Sequence, residues 1–175
     1  VPWQALALAA ALLAGLALQF VTIKAPANFY DEGLVLLNAT RVLGGEVPYR
    51  DFWTLYAPGY FYLLAGLFKL VGPTILAARI FDVLVRFLVS VAVYAFARRM
   101  VPWWAALIPY ALVSLWLGSV RFYVYPAFPA LGALFLALIF FAGYLRTGRP
   151  LRLLFAGLAL GLTTALRLDF GGYAA

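Results

Sequence analysis

The sequence predicts an all-α, polytopic membrane protein. Three observations predict it. Of 175 residues, 67% are hydrophobic and only 11% are charged, whereas soluble domains are about half apolar and about a quarter charged. Mean hydropathy is +1.01, more apolar surface than a soluble core can hide. The apolar residues fall into long unbroken runs rather than the ten-residue alternation of a transmembrane barrel, and a backbone in hydrocarbon satisfies its own hydrogen bonds as helix.

Five spans follow in order: about Trp3–Ile23, Ala77–Ala97, Trp103–Val120, Tyr125–Tyr144 and Leu151–Leu168. The first, about 21 residues, is long enough for about 30 Å of hydrocarbon. It is longer than a signal-peptide core and lacks a basic flank. Because the chain starts at Val1 and stops in the Gly-rich stretch 170–175, the expectation is a single transmembrane domain, residues 1–175, from the amino-terminal part of a longer protein. Arg98 and Arg99 lie between spans two and three, and Arg146, Arg149 and Arg152 between spans four and five, with no acid near them. Basic residues in short loops mark the cytoplasmic side, which places the amino terminus inside and residues 24–76 outside. The net charge of +7 is thus read as membrane topology, and no nucleic-acid partner is expected. With no cysteine and no histidine, disulfides, thiolate chemistry, zinc sites and histidine catalysis are excluded within this stretch.

The outer segment 24–76 is too long for a plain connection and carries its own order. Asp31 is expected to cap a helix that runs to about Leu43 with Val35, Leu36, Ala39, Val42 and Leu43 on one side, stopped by Gly44 and Gly45. Pro48 to Thr54 reads as an aromatic turn. Pro58 opens a second helix, about Gly59–Val71, ended by Gly72 and Pro73. That helix is too short to span and apolar nearly all round, so it belongs in the interface or against the bundle. Within this segment Asp31 and Glu32 stand side by side at a membrane surface, in a chain with six acids in all. A carboxylate there can take a proton from a substrate or offer oxygen ligands to a hard cation. No cofactor is assigned; a divalent metal is the candidate, although two adjacent side chains do not complete a site.

The ordered features FYDEG after one span, a helix ending in GG, PYRDFW, then YAPGYFYLLAGLFKLVGP and AR at the head of a long span resemble the type-C glycosyltransferases. The likeness is to bacterial relatives of the protein O-mannosyltransferases and the aminoarabinose transferases. The stretch GLALGLTTALRLDFGG extends it to a Gly-rich span that leads to a basic residue. The resemblance implies a membrane glycosyltransferase in the cytoplasmic (inner) membrane. Its donor would be a polyprenyl-phosphate sugar and its acceptor a glycan, lipid or protein. It implies Asp31 as the catalytic acid, with Glu32 its neighbour in the pair. Positive charge for the donor phosphate is sought at the outer ends of the spans, in Arg167, Arg79 and Arg121, and sugar stacking in Tyr49, Trp53 and Tyr56. The residues also carry plainer expectations. Glu32 is expected at solvated surface. Arg79, Asp82 and Arg86 share one helix face, where a structural ion pair with a neighbouring helix is expected. Arg50 pairs with Asp51. Asp169 points away from Arg167. Gly15, Gly118, Gly132, Gly143, Gly157 and Gly161 mark close helix packing. The alternative reading is a transporter or lipid flippase, which would use intramembrane charges as a path and show inverted repeats; the sequence shows no clear repeat.

Overall fold

The computed structural model describes residues 2–174. Eight α-helices follow one another: α1 Pro2–Phe20, α2 Leu34–Leu43, α3 Gly59–Val71, α4 Ile75–Ala97, α5 Trp103–Ser119, α6 Ala127–Thr147, α7 Pro150–Leu166 and α8 Leu168–Ala174. A single π-helical turn, Phe29–Gly33, leads directly into α2. The protein is an all-helical polytopic membrane protein. Three helices, α1, α4 and α6, are long and apolar enough to cross a membrane. The other two expected spans, α5 and α7, hold 17 residues each, about 26 Å of helix, the lower limit for hydrocarbon thickness. Leu6, Leu13, Leu88, Leu112 and Leu158 stand exposed on the outer surface of α1, α4, α5 and α7, where lipid rather than water accommodates them.

Helix α4 is central, packing against α1, α5 and α6, while α6 and α7 form an antiparallel pair. Glycine sets the closest approach of α1 and α5: a Cβ at Gly118 would lie 2.9 Å from the Leu18 carbonyl oxygen, and one at Gly15 would strike the Tyr110 ring. By contrast Gly157 and Gly161 have nothing within 4 Å, so the GxxxG of α7 is not a packing seam inside this chain. Pro109 lies within α5 without ending it.

The two short helices form as the sequence predicts, but the first is capped differently. Asn28, not Asp31, is the N-cap: its Oδ1 accepts from the Tyr30 and Asp31 amides at 3.1 and 3.4 Å. The amide of Gly33 then reaches back to Asn28 O at 3.0 Å, the i→i−5 bond of a π turn. This leaves the Asp31 carboxylate free for tertiary partners. Gly45 (φ 96°) and Gly72 (φ 86°) take the left-handed conformations that stop α2 and α3, as glycine alone does without strain. Helices α2 and α3 pack together, and Tyr60, Phe61, Leu64 and Phe68 of α3 bury against Val35, Ala39, Ala78, Val83 and Leu166. The segment 24–76 is therefore folded onto the bundle.

Candidate active site

The acidic pair splits. Asp31 and Glu32 are adjacent in the π turn, and their carboxylates have separate surroundings. Glu32 is buried, 2% exposed, and meets Arg79 of α4 in a two-pronged ion pair: Nε donates to Oε1 and Nη2 to Oε2, both at 2.7 Å. Arg79 Nη1 donates to the carbonyls of Ile23 at 2.7 Å and Ala25 at 2.8 Å. One guanidinium thus fastens the exit of α1, the π turn and the start of α4 together. The expectation that Glu32 is solvated fails because α4 brings a matching fork to it, and such a pair tolerates burial that a lone carboxylate does not. Four of the five N–H groups of Arg79 are engaged in these bonds.

Asp31 is half-buried and faces the other way. Its Oδ2 accepts from Asn28 Nδ2 at 3.0 Å and its Oδ1 from the Tyr56 hydroxyl at 2.8 Å. Burial, and then the hydrogen bond to Asp31, push the Tyr56 phenol up to about 12, so it remains a donor at neutral pH. Tyr56 lines a cavity of about 360 Å³ together with Leu55, Ala57, Tyr125, Leu166, Arg167 and Asp169. The Tyr56 and Tyr125 rings meet edge to face at 6.2 Å, and the Arg167 guanidinium lies 5.2 Å from the Tyr125 ring centre. Asp31, Tyr56, Tyr125 and Arg167 are therefore linked in one chain of contacts near the start of α3 and the end of α7.

Two local features build this arrangement. Gly59, the first residue of α3, lies against the Ala165 carbonyl of α7, and a Cβ there would collide with it. Any other residue would push α3 away from α7 and Tyr56 away from Arg167. Val124 takes φ 55°, an uncommon conformation for a β-branched residue. It sends Tyr123 and Tyr125 to different partners. Tyr123 lies under Arg79 and Arg86, at 5.0 and 4.4 Å from their guanidinium carbons, while Tyr125 turns to Arg167.

Arg167 is the C-cap of α7. Asp169 does not point away: Arg167 Nε donates to its Oδ1 at 2.8 Å and its Oδ2 at 3.0 Å. Asp169 is two residues on, but the helix breaks at Arg167 and restarts at Leu168, so the spacing argument for a continuous helix does not hold. The bond to Arg167 holds the Asp169 carboxyl below its ordinary range. Arg50 pairs with Asp51 at 2.8 Å as expected; Arg86 pairs not with a neighbouring helix, as expected, but with Asp82 at 2.7 Å, one helical turn away and fully buried. The latter pair closes within α4, and Arg86 Nη1 also donates to the carbonyls of Leu117 at 2.9 Å and Val120 at 3.0 Å, tying α4 to the end of α5.

Of the expected sugar contacts, Tyr56 lines the cavity. The Tyr49 hydroxyl donates to the Tyr56 carbonyl at 2.8 Å and does not line the cavity. Trp53 is 80% exposed. Arg121 is exposed in the α5–α6 connection and is not part of the cavity lining. Among the described residues no three Asp, Glu, His or Cys side chains cluster to hold a metal. Asn28 and Tyr125 are site residues that sequence reasoning missed. An asparagine three residues before an aspartate at a helix start was a signal for the first; only the fold brings the second to Tyr56.

No curated protein and no solved structure matches this chain. A family model does: the one described as dolichyl-phosphate-mannose-protein mannosyltransferase matches residues 56–171. The matched stretch begins at Tyr56, the partner of Asp31, and runs past Arg167, so it contains the cavity-lining residues other than Leu55. The chain belongs to the dolichyl-phosphate-mannose-protein mannosyltransferase family of membrane glycosyltransferases.

Proposed function

We propose that the protein moves a sugar from a polyprenyl-phosphate donor to an acceptor at the outer face of the bacterial cytoplasmic membrane, with Asp31 as general base. The observation that carries this reading is the Asp31 carboxylate, which accepts from the Tyr56 hydroxyl, while Tyr56 lines one cavity with Arg167. The acceptor hydroxyl gives its proton to Asp31 as its oxygen bonds to the anomeric carbon. The bond from that carbon to the phosphate oxygen breaks, and the polyprenyl phosphate leaves as an anion. Such a leaving group needs little acid catalysis; it needs cationic stabilisation, which Arg167 supplies. Asp169 engages Arg167 through Nε, which directs the terminal amino groups to the donor. Asn28 and Tyr56 fix the carboxylate with one donor on each oxygen. Glu32, paired with Arg79, anchors the turn. The acceptor is a glycan, lipid or protein hydroxyl. Against the transporter reading, Arg79 and Arg86 are closed by Glu32 and Asp82 and line no path.

The donor assignment is tested on the full-length protein with a panel of polyprenyl-phosphate sugars. A charge-assisted contact to phosphate contributes about 1.5–3 kcal/mol, so Arg167→Ala weakens donor binding about ten- to a hundredfold. Arg167→Lys recovers only part, because an ammonium lacks the fork. Donor-dependent thermal stabilisation and the melting temperature are read on the same variants; unchanged donor affinity with a lowered melting temperature would make Arg167 structural. Topology is checked with single cysteines, since the chain has none. Ala27→Cys and Thr147→Cys both stand exposed. An impermeant thiol reagent on intact cells labels 27 and spares 147; the opposite pattern overturns the orientation.

A further inference from the structure

The end of the bundle remote from the candidate active site carries a cluster of arginines that glycosyl transfer does not use. The amino terminus of α1 lies there, with Trp3 5.7 Å from Trp103. So do the end of α4, the start of α5, the end of α6 and the start of α7. Arg98, Arg99, Arg146, Arg149 and Arg152 all fall on these ends, and no acidic residue occurs between Asp82 and Asp169 in the sequence. The four acids of residues 31–51 belong to the opposite end.

Two of these guanidinium groups converge. Arg99 Nη1 donates to the Ile139 carbonyl at 2.7 Å, and Arg152 Nη1 donates to the Gly143 carbonyl at 2.8 Å. A Cβ built on Gly143 would lie 2.9 Å from Arg152 Nη1 and 3.4 Å from Arg99 Nη1. The glycine leaves the notch into which both groups reach, one from the α4–α5 connection and one from α7. Like charges repel at this separation, and among the described residues no carboxylate pairs with either. Each guanidinium carries five N–H groups, and the backbone carbonyls take one of them in each case. Two forked donors aimed at one notch match a phosphate. The surroundings say which phosphate. Trp3, Trp103 and Trp104 ring this end as an interfacial belt does, and Leu145 and Leu151 stand exposed beside the arginines, where acyl chains run.

We infer that Arg99 and Arg152, meeting over Gly143, form a binding site for the headgroup phosphate of an anionic phospholipid, with Arg98, Arg146 and Arg149 on its rim. The zwitterionic phosphatidylcholine headgroup offers the same phosphate but cancels it with its own ammonium, so the site favours a net negative lipid. The site is independent of the donor cavity at the other membrane face.

The test is native mass spectrometry of the full chain in detergent, titrated with phosphatidylglycerol, phosphatidylcholine or inorganic phosphate, with melting temperature read in parallel. Wild type retains phosphatidylglycerol in preference to phosphatidylcholine and is stabilised by it. The double variant Arg99→Gln with Arg152→Gln binds it at least about tenfold more weakly, as loss of charge-assisted bonds requires. Gly143→Ala keeps every charge but fills the notch, and weakens binding in the same direction while the lipid-free melting temperature stays near wild type. The rim pair Arg98→Gln with Arg149→Gln changes affinity by less than about threefold. Equal retention of the two lipids, wild-type affinity in the double and Gly143→Ala variants, an equal loss in the rim pair, or saturation by inorganic phosphate alone would each overturn the inference.

Discussion

Replacing Asp31 by Asn in the full-length protein is expected to lower turnover by about 10²–10⁴-fold, the usual cost of removing a positioned base. Expression and melting temperature should change little. The amide keeps the shape of the side chain and can still accept from the Tyr56 hydroxyl, which now sits 2.8 Å from Oδ1. What it loses is the capacity to take a proton and the acceptor for Asn28 Nδ2, which bonds Oδ2 of the aspartate. A residual rate within about threefold of wild type, less than 1 kcal/mol of barrier, would remove Asp31 from the chemistry. Tyr56→Phe makes a useful companion. It leaves the base in place but deletes one of its two side-chain donors, so turnover should fall less than in Asp31→Asn. The Tyr56 phenol is raised to about 12, so this bond persists below the ordinary tyrosine range and is lost only as pH climbs toward 12. The fall on Tyr56→Phe should therefore be the same at pH 6 and pH 9.

The second large effect is on stability. Arg79→Ala is expected to cost about 3–5 kcal/mol, because it leaves Glu32 buried without a counter-charge. For a chain of this size that is about 6–20 °C in melting temperature. Two carbonyls, Ile23 and Ala25, lose their donor in the same step. The turn that carries Asp31 is fastened through this pair, so turnover should drop even at temperatures where the variant is folded. Arg79→Ala combined with Glu32→Leu removes both charges and should recover a substantial part of the lost stability. Melts of the two single variants and the double variant settle the point. A double variant that loses as much as the sum of the singles would mean that the two residues do not act as a pair.

The spans, the two short helices α2 and α3 and their glycine stops were legible because each rests on local chemistry. A run of apolar residues declares a helix in lipid whatever packs on it. Gly45 and Gly72 terminate helices through their own backbone freedom. The ordered features from FYDEG to YAPGYFYLLAGLFKLVGP also resembled the family whose model matches residues 56–171. Failures arose where a local rule was asked a tertiary question. Asp31 has the composition of a helix cap, but Asn28 came first and took that role. Asp169 pairs with Arg167 because the helix breaks between them. Gly157 and Gly161 form a packing motif in sequence, yet a Cβ built on either would meet nothing within 4 Å among the described residues.

The sequence by itself determined an all-helical membrane protein with an ordered segment 24–76 and an acidic pair near its start, since hydropathy, turn residues and adjacency are properties of neighbours along the chain. Only the tertiary structure decided what each acid does. Residues 32 and 79 are 47 positions apart, and residues 31 and 56 are 25 apart. No periodicity reports on such pairs. Packing of α4 against the π turn buries Glu32 on Arg79, and the close approach of α3 to α7 at Gly59 sets Tyr56 between Asp31 and the cavity of Arg167. A charge in low dielectric is held by whichever partner the fold delivers, so the fold made one carboxylate an anchor and hydrogen-bonded its neighbour to Tyr56, which lines the cavity.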